Sequence, residues 1–334
     1  MKGITTVGLD LAKTVFQVHA VDAAGTVVVR RQLRRAQVQL VFSRLVPCLI
    51  GIEACAGVHH LARELAKFSH EVRLMPPSYV KPFVKRGKTD AADAEAICTA
   101  VLQPTMRFVP VKSEAQQAVL MQHRTRDFLV RQLTQLANAI RAHLGEFGLV
   151  VPKGVHNMGR LVTDAEAADL PAEARMPLDL LVGQFRDTKR RIDAITADLR
   201  RAAEADETAR RLQTMPGIGP ITASVPGATV PDVSAFRSAC DLSAWLGLTP
   251  KPHSSGGKER LGAISKMGNR YIRRLLSLGV MGVISARKRA DPGADWLGRM
   301  LAKKPVKVVA IARANRMARA IWAMPRTGEA WRAT

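Results

Sequence analysis

Four carboxylates and a pair of serines are the residues of this 334-residue chain whose types and spacing could do chemistry. Asp10 closes the β-rich run ITTVGL, and Glu53 closes CLIGIEA. Asp90 and Asp93 open TDAADAEAICTAVL, three residues apart and so on one helical face. Clustered carboxylates repel unless cations compensate them, and hard oxygen donors select Mg²⁺ or Mn²⁺. Two such ions can stabilise both the attacking and the leaving oxygen of a phosphodiester exchange. Each acid alone has a plainer reading: Asp90 as a helix cap, Asp93 as a surface acid, an acid at a strand end as structural. The joint pattern, beside the basic VKRGK, points to a metal site. His59 and His60 follow Glu53 closely, but no matching set of soft ligands accompanies them, and they read as structural or solvent-facing.

The second candidate is HSSGGKERLG, residues 253–262. Serine hydroxyls are poor nucleophiles without a base, a metal or cations to hold the developing charge. Lys251, Lys258, Arg260, Lys266 and Arg270 supply the cations, and His253 is a weaker candidate for the base. Read on its residues alone, this glycine-rich stretch is better explained as a linker than as a reagent. A third motif, PGIGP at 216–220, matches the turn of a helix-hairpin-helix element. There Gly217 and Gly219 would let backbone N–H groups approach a phosphate without reading sequence; the alternative is an ordinary Gly/Pro turn.

The elements that must position these groups follow from periodicity. ITTVGL, TVFQVHAV and TVVVRRQL, with DAAG between the last two, predict a three-strand meander. AQVQLVFSRLV predicts a helix, CLIGIEA a buried strand, VHHLARELAKF a helix and EVRLM a strand. TDAADAEAICTAVL predicts a helix capped by Thr89 or Asp90. The order βββαβαβα is that of a ribonuclease-H-like fold, in which the first and fourth strands are neighbours. A long helix is predicted from about Ser113 to Phe147. After a Gly/Pro break, a second helical run from about Ala172 to Thr214 has the charge pattern of a coiled-coil arm. The expected domains are 1–112 (metal domain), 113–210 (helical arm) and 211–334 (basic helical domain).

Composition narrows the partners. The formal charge is +23, and from Lys258 onward 18 Lys or Arg face four acids, so that segment carries +14 of it. Such one-sidedness points to a polyanion, and nucleic acid is the foremost candidate. Aromatics are only 4% of residues, which favours helical packing over an extensive β structure. Cys48, Cys55, Cys98 and Cys240 form no CxxC pair and read as buried thiols in a reducing compartment. The N-terminus lacks a signal core, and the apolar run LLSLGVMGVISA (275–286) is too short to span a bilayer. A cytoplasmic, nucleoid-associated protein is the expectation.

Taken together, VGLDLAKTVFQVHAVD, GIEACAGVHHLARELAKFSHEVRLMPPSYVKPFVKRGKTDAADAEAI, MRFVPVKS, MPGIGPITA and AWLGLTPKPHSSGGKERLGAISKMGNRYIRRLL resemble the DEDD transposases, or recombinases, of bacterial insertion-sequence family 110. The resemblance covers nearly the whole chain. It implies a RuvC-like N-terminal domain, with the acidic tetrad falling on Asp10, Glu53, Asp90 and Asp93 and binding Mg²⁺. It also implies a catalytic serine at Ser255, with Ser254 as its neighbour, forming a covalent phosphoserine with DNA. The implied partners are DNA (element ends and target), a non-coding bridge RNA that supplies sequence recognition, and further copies of the chain. The copies would form a dimer or tetramer whose active sites are shared between subunits. SVPGATVPDVSAF departs from the family pattern: Pro226 and Pro231 predict that the helix after PGIGP ends early, because an interior proline costs about 3 kcal/mol. The competing functions are a metal-only junction-resolving nuclease and a nucleic-acid scaffold with a decayed site.

Overall fold

The computed structural model describes residues 3–85, 87, 89–230, 232–287 and 295–332. Arg86 and Lys88 of the VKRGK stretch, and Pro231, lie outside the described residues. The chain separates into two compact units, residues 1–115 and 116–334.

The first unit is built on a five-stranded sheet: β1 (Thr6–Leu11), β2 (Val15–Val21), β3 (Val27–Arg34), β4 (Leu49–Glu53) and β5 (Glu71–Met75). Strand order is β3-β2-β1-β4-β5; the meander β1–β3 is antiparallel, and β4 runs parallel to both β1 and β5. Helix α1 (Arg35–Phe42) leads into β4, and α2 (Val58–Ala66) connects β4 to β5. A short turn of helix, α3 (Pro77–Val80), precedes α4 (Asp90–Val101). This mixed α/β arrangement is consistent with a ribonuclease-H-like fold. The alternation that predicts β2 arises because Phe16, Val18 and Ala20 enter the core with Val7, Leu9, Ile50 and Ile52.

The second unit is mainly helical. Helices α5 (Glu114–Gly145), α6 (Met158–Ala167) and α7 (Ala172–Ala205) enclose one core, which includes Leu133, Ile140, Leu161 and Phe185. A second core, from Ala203 to Met324, gathers α8 (Glu207–Gln213), α9 (Pro220–Thr229), α10 (Ala239–Trp245), α11 (Arg270–Arg287), α12 (Trp296–Lys303) and α13 (Val306–Thr327). Two short strands, β6 (Pro250–Pro252) and β7 (Leu261–Ile264), pair between α10 and α11.

Helix α9 is short, ending at Thr229, and Pro226 lies inside it: Val230 N–H closes the last turn on Pro226 O at 2.7 Å. Pro226 is buried there, and that burial offsets the hydrogen bond its ring nitrogen cannot make. One expectation needs correcting, that of four buried cysteines. The cysteines are all free thiols, but only Cys48 and Cys98 are buried. Cys55 lies in the turn after β4 and Cys240 in the first turn of α10, outside the periodic faces that fill the cores. Among the described residues, no helix is long and apolar enough to cross a membrane.

Candidate functional site

Glycine brings the carboxylate elements together. A Cβ on Gly8 would lie 2.1 Å from Ala94 O and 2.7 Å from Cys98 Cβ, and one on Gly51 would lie 2.8 Å from Val101 Cβ. Both glycines therefore face α4, which presses directly on the backbones of β1 and β4. Side chains alternate along a strand, so Asp10 and Glu53, each two residues further on, share the α4 face of the sheet. The parallel register pairs Leu9 with Ile52, so the next step sets Asp10 beside Glu53 on neighbouring strands. Their fields converge on Cys55, an exposed residue whose thiol is partly screened from water: that desolvation pushes it up first, and the charges of Glu53 and Asp10 push it further.

Asp90 and Asp93 sit in the first turn of α4. The cap is Thr89, whose Oγ1 accepts the Ala92 N–H at 3.2 Å, so Asp90 is not needed for that purpose. Negative charge in a first turn also suits the helix dipole. Asp93 is half-buried and Asp90 exposed. Among the described residues no three His, Cys, Asp or Glu side chains are grouped closely enough to hold one metal ion. The structure thus pairs Asp10 with Glu53 and does not draw Asp90 and Asp93 into a single cluster with them. By donor type the pair suits a hard divalent cation. His59 is structural, accepting the Lys112 N–H through Nδ1 at 3.2 Å.

The serine stretch is a hairpin rather than a featureless linker. His253 N–H donates to Arg260 O at 2.7 Å, and Lys258 N–H donates to Ser255 O at 3.1 Å. The two residues at the tip, Gly256 and Gly257, have φ of +57° and +75°, the left-handed pair that a two-residue type I′ turn requires. The two serines part company here. Ser254 Oγ accepts the Arg260 N–H at 3.2 Å and so is part of the hairpin. Ser255 Oγ has no hydrogen-bond partner among the described residues. Ser255 pairs with Lys258, and alternation places His253 and Arg260 on that same face. Every residue from Lys251 to Leu261 is exposed.

The hairpin stands on a firm base. Arg273 of α11 donates to Leu246 O at 2.7 Å and to Met267 O at 2.9 Å, and Asn315 of α13 donates to Leu248 O at 3.3 Å. Lys258, Arg260, Lys266 and Arg270 are exposed, and none makes an ion pair among the described residues. Lys266 is held at φ +54°, a conformation uncommon for a side-chain-bearing residue.

The PGIGP turn joins α8 to α9. Gly217, at φ +95°, lies against α11: a Cβ there would be 3.1 Å from the Gly279 backbone, and one on Gly279 would be 1.9 Å from Gly217 O. Gly217 therefore has a packing role of its own. Gly219 is the N-cap of α9, with nothing within 4 Å of the place its Cβ would occupy.

Sequence reasoning missed one buried network. His123 of α5 is bonded through Nε2 to Ser224 Oγ of α9 at 3.1 Å, and through Nδ1 to Tyr271 OH of α11 at 3.2 Å. Burial, then the nearby Arg126 charge, lowers its pKa to about 4. Its only signal in the sequence is a histidine on the apolar face of the long helix.

Comparisons with known proteins agree along the length of the chain. Residues 7–148 match a family model described as transposase, whose label marks it as the DEDD type of IS110, and residues 209–293 match one described as transposase IS116/IS110/IS902 family. A Pseudomonas aeruginosa protein named "Probable family 20 transposase" is 45% identical, the alignment covering 96% of each chain. The transposase for insertion sequence element IS1328 of Yersinia enterocolitica is 38% identical over 98% of each chain. That for IS1111A of Coxiella burnetii is 36% identical over 99% of this chain and 92% of its own.

Proposed function

The chain belongs to the IS110/IS116/IS902 transposase family, and we propose that it exchanges DNA strands through Ser255, assisted by Asp10, Glu53, Asp90 and Asp93. The observation that carries this reading is the division of labour between the serines. Ser254 is tied into the hairpin, whereas Ser255 faces solvent beside Lys258. In the reaction Ser255 Oγ attacks a phosphorus of DNA. An Oγ–P bond forms, the P–O bond to the departing DNA hydroxyl breaks, and the serine proton ends on that hydroxyl. Attack by a new DNA hydroxyl on the phosphoserine reverses these steps and returns the proton to Oγ, so no external energy source is needed. Lys258 and Arg260 hold the phosphate and offset its growing charge.

Members of the family act on DNA, and the DEDD domain suggests dependence on a divalent metal. Asp10 and Glu53 would hold that ion, Mg²⁺ in this reading, with Asp90 and Asp93 completing the acidic tetrad from the first turn of α4 once DNA is engaged, and it would supply further stabilisation of phosphate charge. The basic surface of the second unit, with Gly217, Gly219, Lys266 and Arg270, grips nucleic-acid backbone without reading sequence. Sequence would then be read by a bridge RNA through pairing. Assembly into a dimer or tetramer with shared active sites, a RuvC-like 1–112 domain, a coiled-coil arm at 113–210 and a basic domain at 211–334 belong to the same proposal.

The test is to express the protein with its flanking DNA and a target plasmid, then look for protein–DNA adducts on denaturing gels. Wild type and Ser254→Ala should give the adduct, and Ser255→Ala should not. Recombined or cleaved DNA with no adduct from any variant would replace this mechanism with a metal-only nuclease.

A further inference from the structure

The segments 78–83 and 103–107 of the first unit line an open cleft of about 500 Å³. Its floor is apolar: Phe83 and Met106 pack against the small core of Met75, Val80, Ile97 and Val101. Tyr79 lines the same cleft; it is 44% exposed and one of only two tyrosines in the chain, so its exposure is not the accident of a tyrosine-rich surface. Ser78, Gln103, Thr105 and Arg107 add hydrogen-bonding groups and a positive charge, and no lining residue is acidic. Gln103 Nε2 donates to Thr99 O at 3.2 Å, which leaves its amide oxygen to accept. The backbone carrying Tyr79 is stiff, with Pro76 and Pro77 before it and Pro82 after it. Tyr79 N–H also closes a turn on Pro76 O at 2.9 Å.

An exposed ring beside an apolar floor, with donors and acceptors at the edge and no carboxylate, is the chemistry that receives a flat heterocycle attached to a phosphate. The cleft is large enough for one base and its sugar. Lys81, exposed on the same segment, adds to the positive field. The segment leaves β5, the strand next to the one that ends in Glu53.

We propose that this cleft binds an unpaired nucleobase of single-stranded nucleic acid, stacked on Tyr79, with Arg107 against the adjoining phosphate. The proposal rests on reading the chain as a nucleic-acid enzyme but is independent of Ser255. A duplex keeps its bases stacked inside and offers Tyr79 no free face, so the cleft separates single strands from duplex. Stacking is common to RNA and DNA, and either an RNA or a displaced DNA strand carries the required chemistry.

The test uses the full-length protein with fluorescent oligothymidine, oligouridine of equal length and a duplex, read by anisotropy. Tyr79→Ala should weaken single-strand binding by about tenfold, the loss of one stacked base, with duplex binding unchanged. Tyr79→Trp should restore the single-strand affinity, which separates stacking from misfolding. Tighter binding of oligouridine would assign the site to RNA, and of oligothymidine to displaced DNA. Unchanged single-strand affinity in Tyr79→Ala, or an equal loss on duplex, would overturn the proposal. Failure of wild type to bind any of the three probes would overturn the nucleic-acid reading beneath it. Loss of recombination in Ser255→Ala touches neither result.

Discussion

The carboxylate pair and the serine hairpin are built on opposite principles. Asp10, the last residue but one of β1, and Glu53, the last of β4, follow the fully buried Leu9 and Ile52, and α4 lies against glycines on those strands. Their positions are over-determined by packing, and packed interiors do not deform continuously. Ser255 stands beside the tip of a hairpin exposed along its length, shaped by two glycines and a few hydrogen bonds and held at its base. A rigid site suits groups that must share one charged ligand. A slender, projecting one suits a group that must reach into DNA and become covalently attached to it. The lesson is that precision at the first site comes from burial and at the second from turn chemistry, so the same substitution should have different consequences in each.

The sharpest separation of activity from stability is expected at the reacting groups. Ser255→Ala should lower recombination by about 10⁴-fold or more, and Asp10→Asn by about 10³-fold. Thermal unfolding should stay within about 0.5 kcal/mol of wild type for Ser255→Ala, an exposed residue, and within about 1 kcal/mol for Asp10→Asn, which keeps the side chain's size. A large drop in melting temperature in either variant would recast that residue as structural. Gly8→Val is the converse: added atoms would collide with the α4 backbone and destabilise the first unit by about 3 kcal/mol. A Gly8→Val protein melting like wild type would show that α4 does not depend on this contact.

How much of each region was legible follows from the same contrast. The strands of the first unit are readable because burial on one or both faces imposes periodicity, and DAAG and Thr89 punctuate it. The pairing of Asp10 with Glu53 is readable from strand order; the glycines that admit α4 take their meaning from the helix packed against them, which strand periodicity does not encode. The hairpin was not legible as strands. β6 is the tripeptide PKP, and β7 is LGAI, four residues with no polar side chain among them, so neither carries a polar–apolar alternation in its sequence. Gly-Gly was the available signal, and it reads equally well as a linker. The separate fates of Ser254 and Ser255 depend on one hydrogen bond to Arg260, which composition cannot encode. His123 escaped for a similar reason, since its partners lie 101 and 148 residues away.

His123 supplies a test of intermediate size, on the buried frame of the second unit rather than its exposed tip. Its folded pKa, about 4, lies below the ordinary 6.5 because burial disfavours the imidazolium. The unfolded chain therefore takes up the proton first as the pH falls. The stability this histidine provides is complete above about pH 6.5 and drains away toward pH 4, by up to about 3 kcal/mol. Comparing unfolding of wild type and His123→Gln from pH 7.5 to 4.5 isolates it from other titrating groups. The variant should be less stable at neutral pH and lose less on acidification. Parallel pH curves would mean that His123 does not titrate between the two states.

The smallest expected effect bears most directly on the hairpin. Gly256 and Gly257 both have positive φ, and a β-branched residue in that conformation costs about 1–2 kcal/mol, enough to shift the tip to another turn. Asparagine tolerates it, and Asn-Gly is the preferred pair for this turn type. Gly256→Asn should then recombine DNA at wild-type rate, while Gly256→Val should fall by about tenfold. Thermal unfolding should hold for Gly256→Asn and fall by no more than that strain for Gly256→Val, because nothing lies within 4 Å of a Cβ placed at Gly256. The pair of variants separates shape from contact: both add a side chain at the same exposed point, and only one opposes the turn. Equal activities would mean that Ser255 is presented by something other than the hairpin, and the contrast between a packed site and a turn-built one would fail where it is most specific.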